Sequence, residues 1–234
     1  MNTQTQMNLS EEVLVEVDVE ESYSLQSKEK VEKYLKRAFD IFGALIGVVL
    51  LIPITIGICI AKIITKDRGP LFYNHERIGK NGKIFKMYKF RSMAVGADEI
   101  LKEYLQENEE ARKEYKKNKK LKDDPRITKI GKFIRKTSLD EFPQFINVLK
   151  GEMSLVGPRP YLPREKEEME NYYTYITRCK PGITGLWQIS GRSDVSFKDR
   201  LNLDLKYYNE KSLKNDFIVL LKTVKSVIKK EGAK

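Results

Sequence analysis

Ile41 to Ala61 reads IFGALIGVVLLIPITIGICIA, and no charged residue interrupts it. As a straight helix it would extend about 30 Å, roughly the thickness of the hydrocarbon core of a bilayer. A soluble core helix this long and this uniformly apolar is a poor alternative, so the run is placed in membrane. Pro53 stands near its middle. Proline has no N–H to donate and its ring meets the carbonyl one turn back, so it bends or breaks a helix. Both flanks are basic: Lys33, Lys36 and Arg37 before, Lys62, Lys66 and Arg68 after. Positive charge prefers the cytoplasmic side, which pulls both ends to one face. A re-entrant helix that kinks at Pro53 and returns to the leaflet it entered meets both demands. A true span stays open, because proline is tolerated in spanning helices too.

Three regions follow from this segment. Residues 1–27 are acidic and polar, and they read as a disordered tail. Alternating Val13, Val15, Val17 and Val19 leave an edge strand as the other option, and the lack of a basic start argues against a signal peptide. Residues 28–66 are the basic lead-in and the proline-broken membrane helix. Residues 67–234 carry the mixed patterning of a folded domain. Within it, Leu71–Tyr73 and Ile84–Phe90 read as strands joined around Asn81-Gly82, a hairpin-turn pair. Residues 97–122 form a charged insertion, read as a helix pair or one long helix. An acidic helix is expected over Glu165–Tyr173, and a shaped glycine-rich loop over Arg178–Arg192 that lines an anion pocket or simply connects. Phe217 to Lys230 has helical apolar spacing with lysines opposite, which suits a core-packing or an interfacial helix. The fold class is therefore α+β and mostly helical. It combines a re-entrant membrane helix with a compact cytosolic catalytic domain that has a small β-hairpin and amphipathic interfacial helices.

Composition narrows the chemistry. The 234 residues carry 44 basic and 33 acidic side chains, a net charge of +11, which calls for an anionic partner. Two distant cysteines, Cys59 and Cys179, exclude a disulfide framework and a zinc ribbon. The single histidine, His75, excludes a multi-histidine metal site within one chain. Arg135 to Pro160, RKTSLDEFPQFINVLKGEMSLVGPRP, holds the candidate chemistry. Asp140 and Glu141 lie side by side, with Arg135 before them and Pro158-Arg159-Pro160 after. One reading is structural: Ser138 and Glu141 make a capping box for a helix over Phe142–Val156. The other is phosphate chemistry with a divalent cation, one carboxylate holding the ion and the other attacking. Arginines clamp phosphate oxygens in a planar fork. Lys86, Lys89 and Arg91 make the second strand basic, either as a solvated face or as a phosphate-facing edge.

Taken in order, the motifs resemble those of the bacterial sugar transferases, the monotopic phosphoglycosyl transferases. The matching stretches are Lys36–Asp40 before the membrane run, Ile84–Met93, Asp124–Thr128, Ser138–Glu141, Asn147–Pro160, Pro181–Gly185 and Gly191-Arg192. Members of that family move a phosphosugar from a UDP-sugar to a polyprenyl (undecaprenyl) phosphate, releasing UMP, with Mg²⁺, at the cytoplasmic face of the bacterial inner membrane. This begins capsule, exopolysaccharide, O-antigen or glycoprotein glycan assembly. The resemblance implies that Asp140 is the nucleophile and forms a covalent phosphosugar intermediate, and that Glu141 is the metal ligand. It implies that Arg135, Arg159 and Arg192 bind phosphate, with Pro158 and Pro160 fixing the direction of Arg159. Lys89 and Arg91 join them as candidate phosphate contacts. Ile52 precedes Pro53 where the family commonly has serine. Two other classes of function fit less of the sequence. A basic membrane-anchored module binding anionic lipid or nucleic acid explains the charge but not the acidic pair. A structural scaffold leaves the arginines without a purpose. The expected partners are the UDP-sugar, the lipid phosphate and membrane lipids, with no nucleic acid; a homo-oligomer stays open, and the sugar is not legible.

Overall fold

The computed structural model describes residues 3–118, 121–191 and 195–229, and of residues 3–29, 117–118 and 228–229 the backbone alone. The chain divides into two units, Met1–Phe39 and Asp40–Lys234. The first unit holds the opening part of helix α1, Thr3–Ile64. Its backbone is helical through the acidic stretch, where composition favours an unstructured tail. Extending an existing helix needs no new nucleus, and Glu, Gln and Leu are good helix formers.

In the second unit, Asp40 to Ile64 complete α1, with Pro53 inside the helix. The Thr55 hydroxyl donates to the Leu51 carbonyl at 2.7 Å, a back-bond of the kind that bends helices. Asp40 is only 2% exposed and accepts from Ser154 Oγ at 2.9 Å and from the Leu155 N–H at 3.0 Å. Gly43 and Gly47 let the Leu155 and Phe145 side chains lie directly on the helix, where a Cβ would overlap them. Leu51 and Ile58 pack with Phe90 and Ile134. Phe42, Val49, Ile52 and Ile56 on this helix stay more than half exposed. Among the described residues, Lys30–Ile64 is the one stretch of helix long and apolar enough to cross a membrane.

Strands β1 (Phe72–Ile78) and β2 (Ile84–Phe90) form the antiparallel hairpin, with Phe72 opposite Phe90 and Ile78 opposite Ile84. Asn81 and Gly82 both take left-handed conformations, φ 56° and 75°, as the turn pair requires. The first strand starts at Phe72 and runs beyond Tyr73 to Ile78, held by its pairing with β2; Asn74, His75, Glu76 and Arg77 lack the apolar alternation that would have revealed it. The insertion folds as a helix pair, α2 (Ala97–Glu107) and α3 (Glu109–Asn118).

Helix α4 (Lys129–Lys136) begins where the Thr128 hydroxyl accepts from the Gly131 N–H at 2.9 Å. Gly131 lies against the Ser92 backbone, and a Cβ there would run into the Ser92 carbonyl. That carbonyl also accepts from the Thr128 N–H at 3.1 Å and has no room to move. We expect Gly131→Ala to lower stability by about 1–3 kcal/mol, the usual scale of overpacking, read as a drop in Tm.

The helix expected over Phe142–Val156 is much shorter. Helix α5 spans Gln144–Lys150, starting after Pro143 and ending at Gly151, whose left-handed φ of 80° stops it. The chain then enters β3 (Ser154–Val156), which pairs in parallel with β4 (Gly182–Thr184). The acidic helix over Glu165–Tyr173 is also corrected. A 3₁₀ turn at Pro163–Glu165 leads into turns, Glu170 is left-handed at φ 47°, and α6 begins only at Tyr172 and runs to Ile176. Glu165 is occupied in capping the Leu162 N–H at 2.7 Å. The glycine-rich loop contains β4 and a single helical turn, α7 (Leu186–Ile189). Helices α8 (Phe197–Glu210) and α9 (Leu213–Lys229) close the described chain. Phe217, Leu221 and Val224 on α9 are more than half exposed, which fits an interfacial helix better than a core one. The core nearest the glycine-rich loop gathers Ile78, Tyr161, Met169, Ile176 and Leu201.

Candidate active site

Asp140 and Glu141 occupy a 3₁₀ turn, Leu139–Glu141, entered through Ser138 in a left-handed conformation, φ 57°. The Ser138 side chain makes no capping bond, so the capping-box reading fails. Glu141 is therefore not engaged in closing a helix end. Both carboxylates face β2. Lys89 Nζ lies 3.4 Å from Asp140 Oδ2 and 3.0 Å from Glu141 Oε1. The Asp140 side chain is 14% exposed and that of Glu141 41%, so one carboxylate is sheltered and its neighbour opens to solvent. Burial raises the pKa of Asp140 and the adjacent Glu141 charge adds to it, while Lys89 and Arg135 pull the other way. Burial works against the Lys89 charge, but the two carboxylates outweigh it and raise its pKa.

Asn147 sets this geometry. It is fully buried on α5, accepts from the Tyr88 N–H at 3.0 Å and donates to the Lys86 carbonyl at 2.8 Å and to Glu152 Oε2 at 2.7 Å. That clasp holds the middle of β2, and so Lys89, beside the turn that carries the carboxylates.

The predicted arginines separate. Arg135 donates from Nε to Ser92 Oγ at 2.8 Å, and its charge reaches Asp140. Arg91 is turned away from the carboxylates. Its guanidinium bonds Asp67, the Pro70 carbonyl at 2.7 Å and the Met93 carbonyl. Burial opposes the Asp67 charge, but bonds from Arg91, Lys62 and the Gly69 N–H hold its pKa down at about 2. Arg91 thus secures the segment after α1, since its fork is already filled. Arg192 lies outside the described residues.

Pro158-Arg159-Pro160 is docked on β4. The Gly157 N–H donates to the Thr184 carbonyl and the Gly182 N–H to the Pro158 carbonyl, both at 2.9 Å. Pro158 is buried, and the Arg159 N–H donates to Asp204 Oδ2 at 3.1 Å. The Arg159 guanidinium stacks on Trp187 at 5.2 Å and on Tyr161 at 5.9 Å. Sequence reading did not single out Arg77, Arg200 or Asp204 around it. Arg77 connects the two clusters electrostatically: its charge is felt by Lys89, and burial with the Arg159 charge lowers its own pKa to about 10.

Asp204 is fully buried, and burial pushes its carboxyl up to about 7 even though the Tyr161 hydroxyl and the Arg159 N–H favour the charged form. A raised carboxyl favours the proton-bound fold. The stabilising contribution is complete below the ordinary carboxylate range and is lost as pH rises to about 7. We expect the stability gap between wild type and Asp204→Asn to change in favour of the variant across that window. The change should reach a few kcal/mol, at roughly 1.4 kcal/mol per unit, in denaturant titrations at stepped pH.

Among the described residues no group of three or more His, Cys, Asp or Glu gathers around a common point. Magnesium commonly takes one or two carboxylates and completes its shell with water and substrate phosphate, so the open Glu141 suits an ion arriving with a diphosphate.

Comparison with known proteins identifies the family. Residues 31–230 match the family model described as bacterial sugar transferase. The undecaprenyl-phosphate galactose phosphotransferase of Salmonella typhimurium is 48% identical over 201 residues, covering 86% of this chain and 42% of that protein. The galactosyl transferase CpsE of Streptococcus agalactiae is 48% identical over 214 residues, covering 91% of this chain and 46% of that protein. The exopolysaccharide production protein ExoY of Rhizobium meliloti is 42% identical over 198 residues, covering 85% of this chain and 87% of that protein. The chain thus spans less than half the length of the first two relatives. Relatives named for lipid carriers and an outward-facing apolar helix together point to membrane association. By a match that runs from residue 31 to residue 230, most of its length, the chain belongs to the bacterial sugar transferases.

Proposed function

We propose that this chain transfers a phosphosugar from a UDP-sugar to undecaprenyl phosphate, releasing UMP, as a membrane step in exopolysaccharide or capsule assembly. The observation that carries the reading is the sheltered Asp140 carboxylate beside the open Glu141, both held by Lys89. An Asp140 oxygen attacks the sugar-bearing β-phosphorus. The bond from that phosphorus to the bridging oxygen breaks, and the electron pair leaves with UMP. The phosphosugar is then held as an aspartyl phosphate. An oxygen of the lipid phosphate attacks the same phosphorus, frees Asp140 and yields a lipid diphosphate sugar, so kinetics are ping-pong. Burial strips water from the attacking carboxylate, and Lys89 keeps a counter-charge beside it. Mg²⁺ at Glu141 would neutralise diphosphate charge. The reading gives Arg135, whose charge reaches Asp140, and Arg159 to phosphate oxygens.

The reading includes a re-entrant α1 with both ends at the cytoplasmic face of the inner membrane. Its support is the basic flanks and Pro53 within the helix. With Cys59 and Cys179 replaced, single cysteines placed before Lys33 and after Lys66 should label from one side; labelling from opposite sides means a span. The activity itself is tested with purified protein, polyprenyl phosphate, Mg²⁺ and a panel of UDP-sugars. Release of UMP with a lipid-linked product from at least one donor is expected. No release from any donor removes the reading, and salt-sensitive nucleic-acid retention without turnover would replace it with a binding module.

A further inference from the structure

Among the described residues, Arg77 Nε, Arg159 Nε and Trp187 Nε1 are buried donors with no hydrogen-bond partner. They belong to one neighbourhood. The guanidiniums of Arg159 and Arg200 lie 5.2 Å and 5.7 Å from the centre of the same indole ring. Arg77 donates to the Pro160 carbonyl at 3.2 Å, beside Arg159. Burial disfavours the charges of Arg77 and Arg200, and the nearby Arg159 charge adds to it in both. Glu165 and Asp204 offset these charges in part, but among the described residues neither carboxylate accepts a hydrogen bond from the three guanidiniums. One Asp204 oxygen is taken by the Tyr161 hydroxyl at 2.8 Å and the Arg159 backbone N–H, and the other has no hydrogen-bond partner among the described residues.

Arg200 is partly satisfied, its Nε donating to the Val195 carbonyl at 3.0 Å, but three cations held together with unfilled donors on Arg77, Arg159 and Trp187 are unfavourable unless an anion completes them. A tetrahedral phosphate has the oxygens to accept from several such donors at once, and arginine forks suit it. We propose that Arg77, Arg159 and Arg200, arrayed about Trp187, form a second anion pocket that binds the phosphate of the donor's nucleoside monophosphate half. This rests on the phosphosugar-transfer reading and adds a division of labour to it. The carboxylates and Lys89 face the phosphorus that is transferred, while this cluster holds the phosphate that departs. Trp187 has two parts here: its ring holds the Arg159 and Arg200 guanidiniums, and its unpartnered N–H is a further donor to the phosphate.

Trp187 is the chain's sole tryptophan, so its emission reports on this cluster. The full chain in lipid nanodiscs is titrated with UMP, inorganic phosphate, uridine and a short-chain prenyl phosphate, and UMP is also tested as a product inhibitor. UMP should change the emission saturably, phosphate more weakly and uridine not at all. Arg200→Gln and Arg77→Gln should weaken UMP binding and inhibition about tenfold or more, the scale of a lost charged contact, and raise the donor KM more than they lower kcat. Arg200→Lys, which keeps the charge but loses the fork, decides the matter if a glutamine variant does not fold. Unchanged UMP affinity and donor KM in folded variants of a wild type that turns over overturns the pocket. Saturation by prenyl phosphate in place of UMP overturns its nucleotide assignment. A wild type with no turnover on any donor, whose emission still answers to UMP, defeats the transfer reading and leaves the pocket standing.

Discussion

Asp140→Asn is expected to abolish turnover, by roughly 10³-fold or more, while the protein still sediments with membranes. The amide is nearly the same size, so packing in the 3₁₀ turn survives. It lacks the negative oxygen that would attack phosphorus, and losing a covalent nucleophile costs rate on that scale. Lys89 keeps its shorter contact, 3.0 Å to Glu141, so the local charge does not collapse. Radiolabelled donor should leave a phosphate-linked adduct on wild type and none on the variant. Normal rates in Asp140→Asn would take Asp140 out of the chemistry, and an adduct that persists in it would place the nucleophile elsewhere.

Asn147→Ala should be the most damaging single change to the fold that also reaches the site. The amide makes three bonds, to the Tyr88 N–H, the Lys86 carbonyl and Glu152, and none can be replaced by water where Asn147 is fully buried. Two backbone groups of β2 lose their partner at once. At about 1–3 kcal/mol for each stranded group, a loss of about 3–5 kcal/mol is expected, a large part of the stability of an ordinary domain. At temperatures where the variant stays folded, activity should also fall, because β2 is no longer clasped and Lys89 loses its position. A Tm within about 2 °C of wild type would contradict this account.

The long apolar helix, the hairpin and the acidic pair were legible because each has a local signature. An uncharged run, an Asn-Gly turn and adjacent carboxylates between arginines can all be read from neighbouring residues. What stayed hidden was assembled from a distance. Asp204 meets Arg159 and Tyr161 from more than forty positions downstream, and Arg77 reaches Pro160 from eighty-three positions upstream. No spacing rule announces such meetings. Strands β3 and β4 are three residues each, too short for alternation to show. Glu165–Tyr173 misled for a different reason: its glutamates suit a helix, but Glu165 is spent on a cap and Glu170 turns left-handed. Lys89 and Arg91 looked equivalent by charge, yet only Lys89 falls within the strand facing the carboxylates, while Arg91 lies past its end at Phe90.

The clasp of Asp40 on β3 changes what a shortened protein can be. Cutting the chain after Lys66 would leave the Leu155 N–H without the Asp40 acceptor and Ser154 with only the Val156 carbonyl, bare the sides of Leu155 and Phe145 that rest on Gly43 and Gly47, and take Leu51 and Ile58 from around Phe90 and Ile134. The greasy rod is one wall of the enzyme's own interior. A trimmed version made for solubility should therefore come out of the cell as inclusion bodies rather than as a small, well-behaved catalyst.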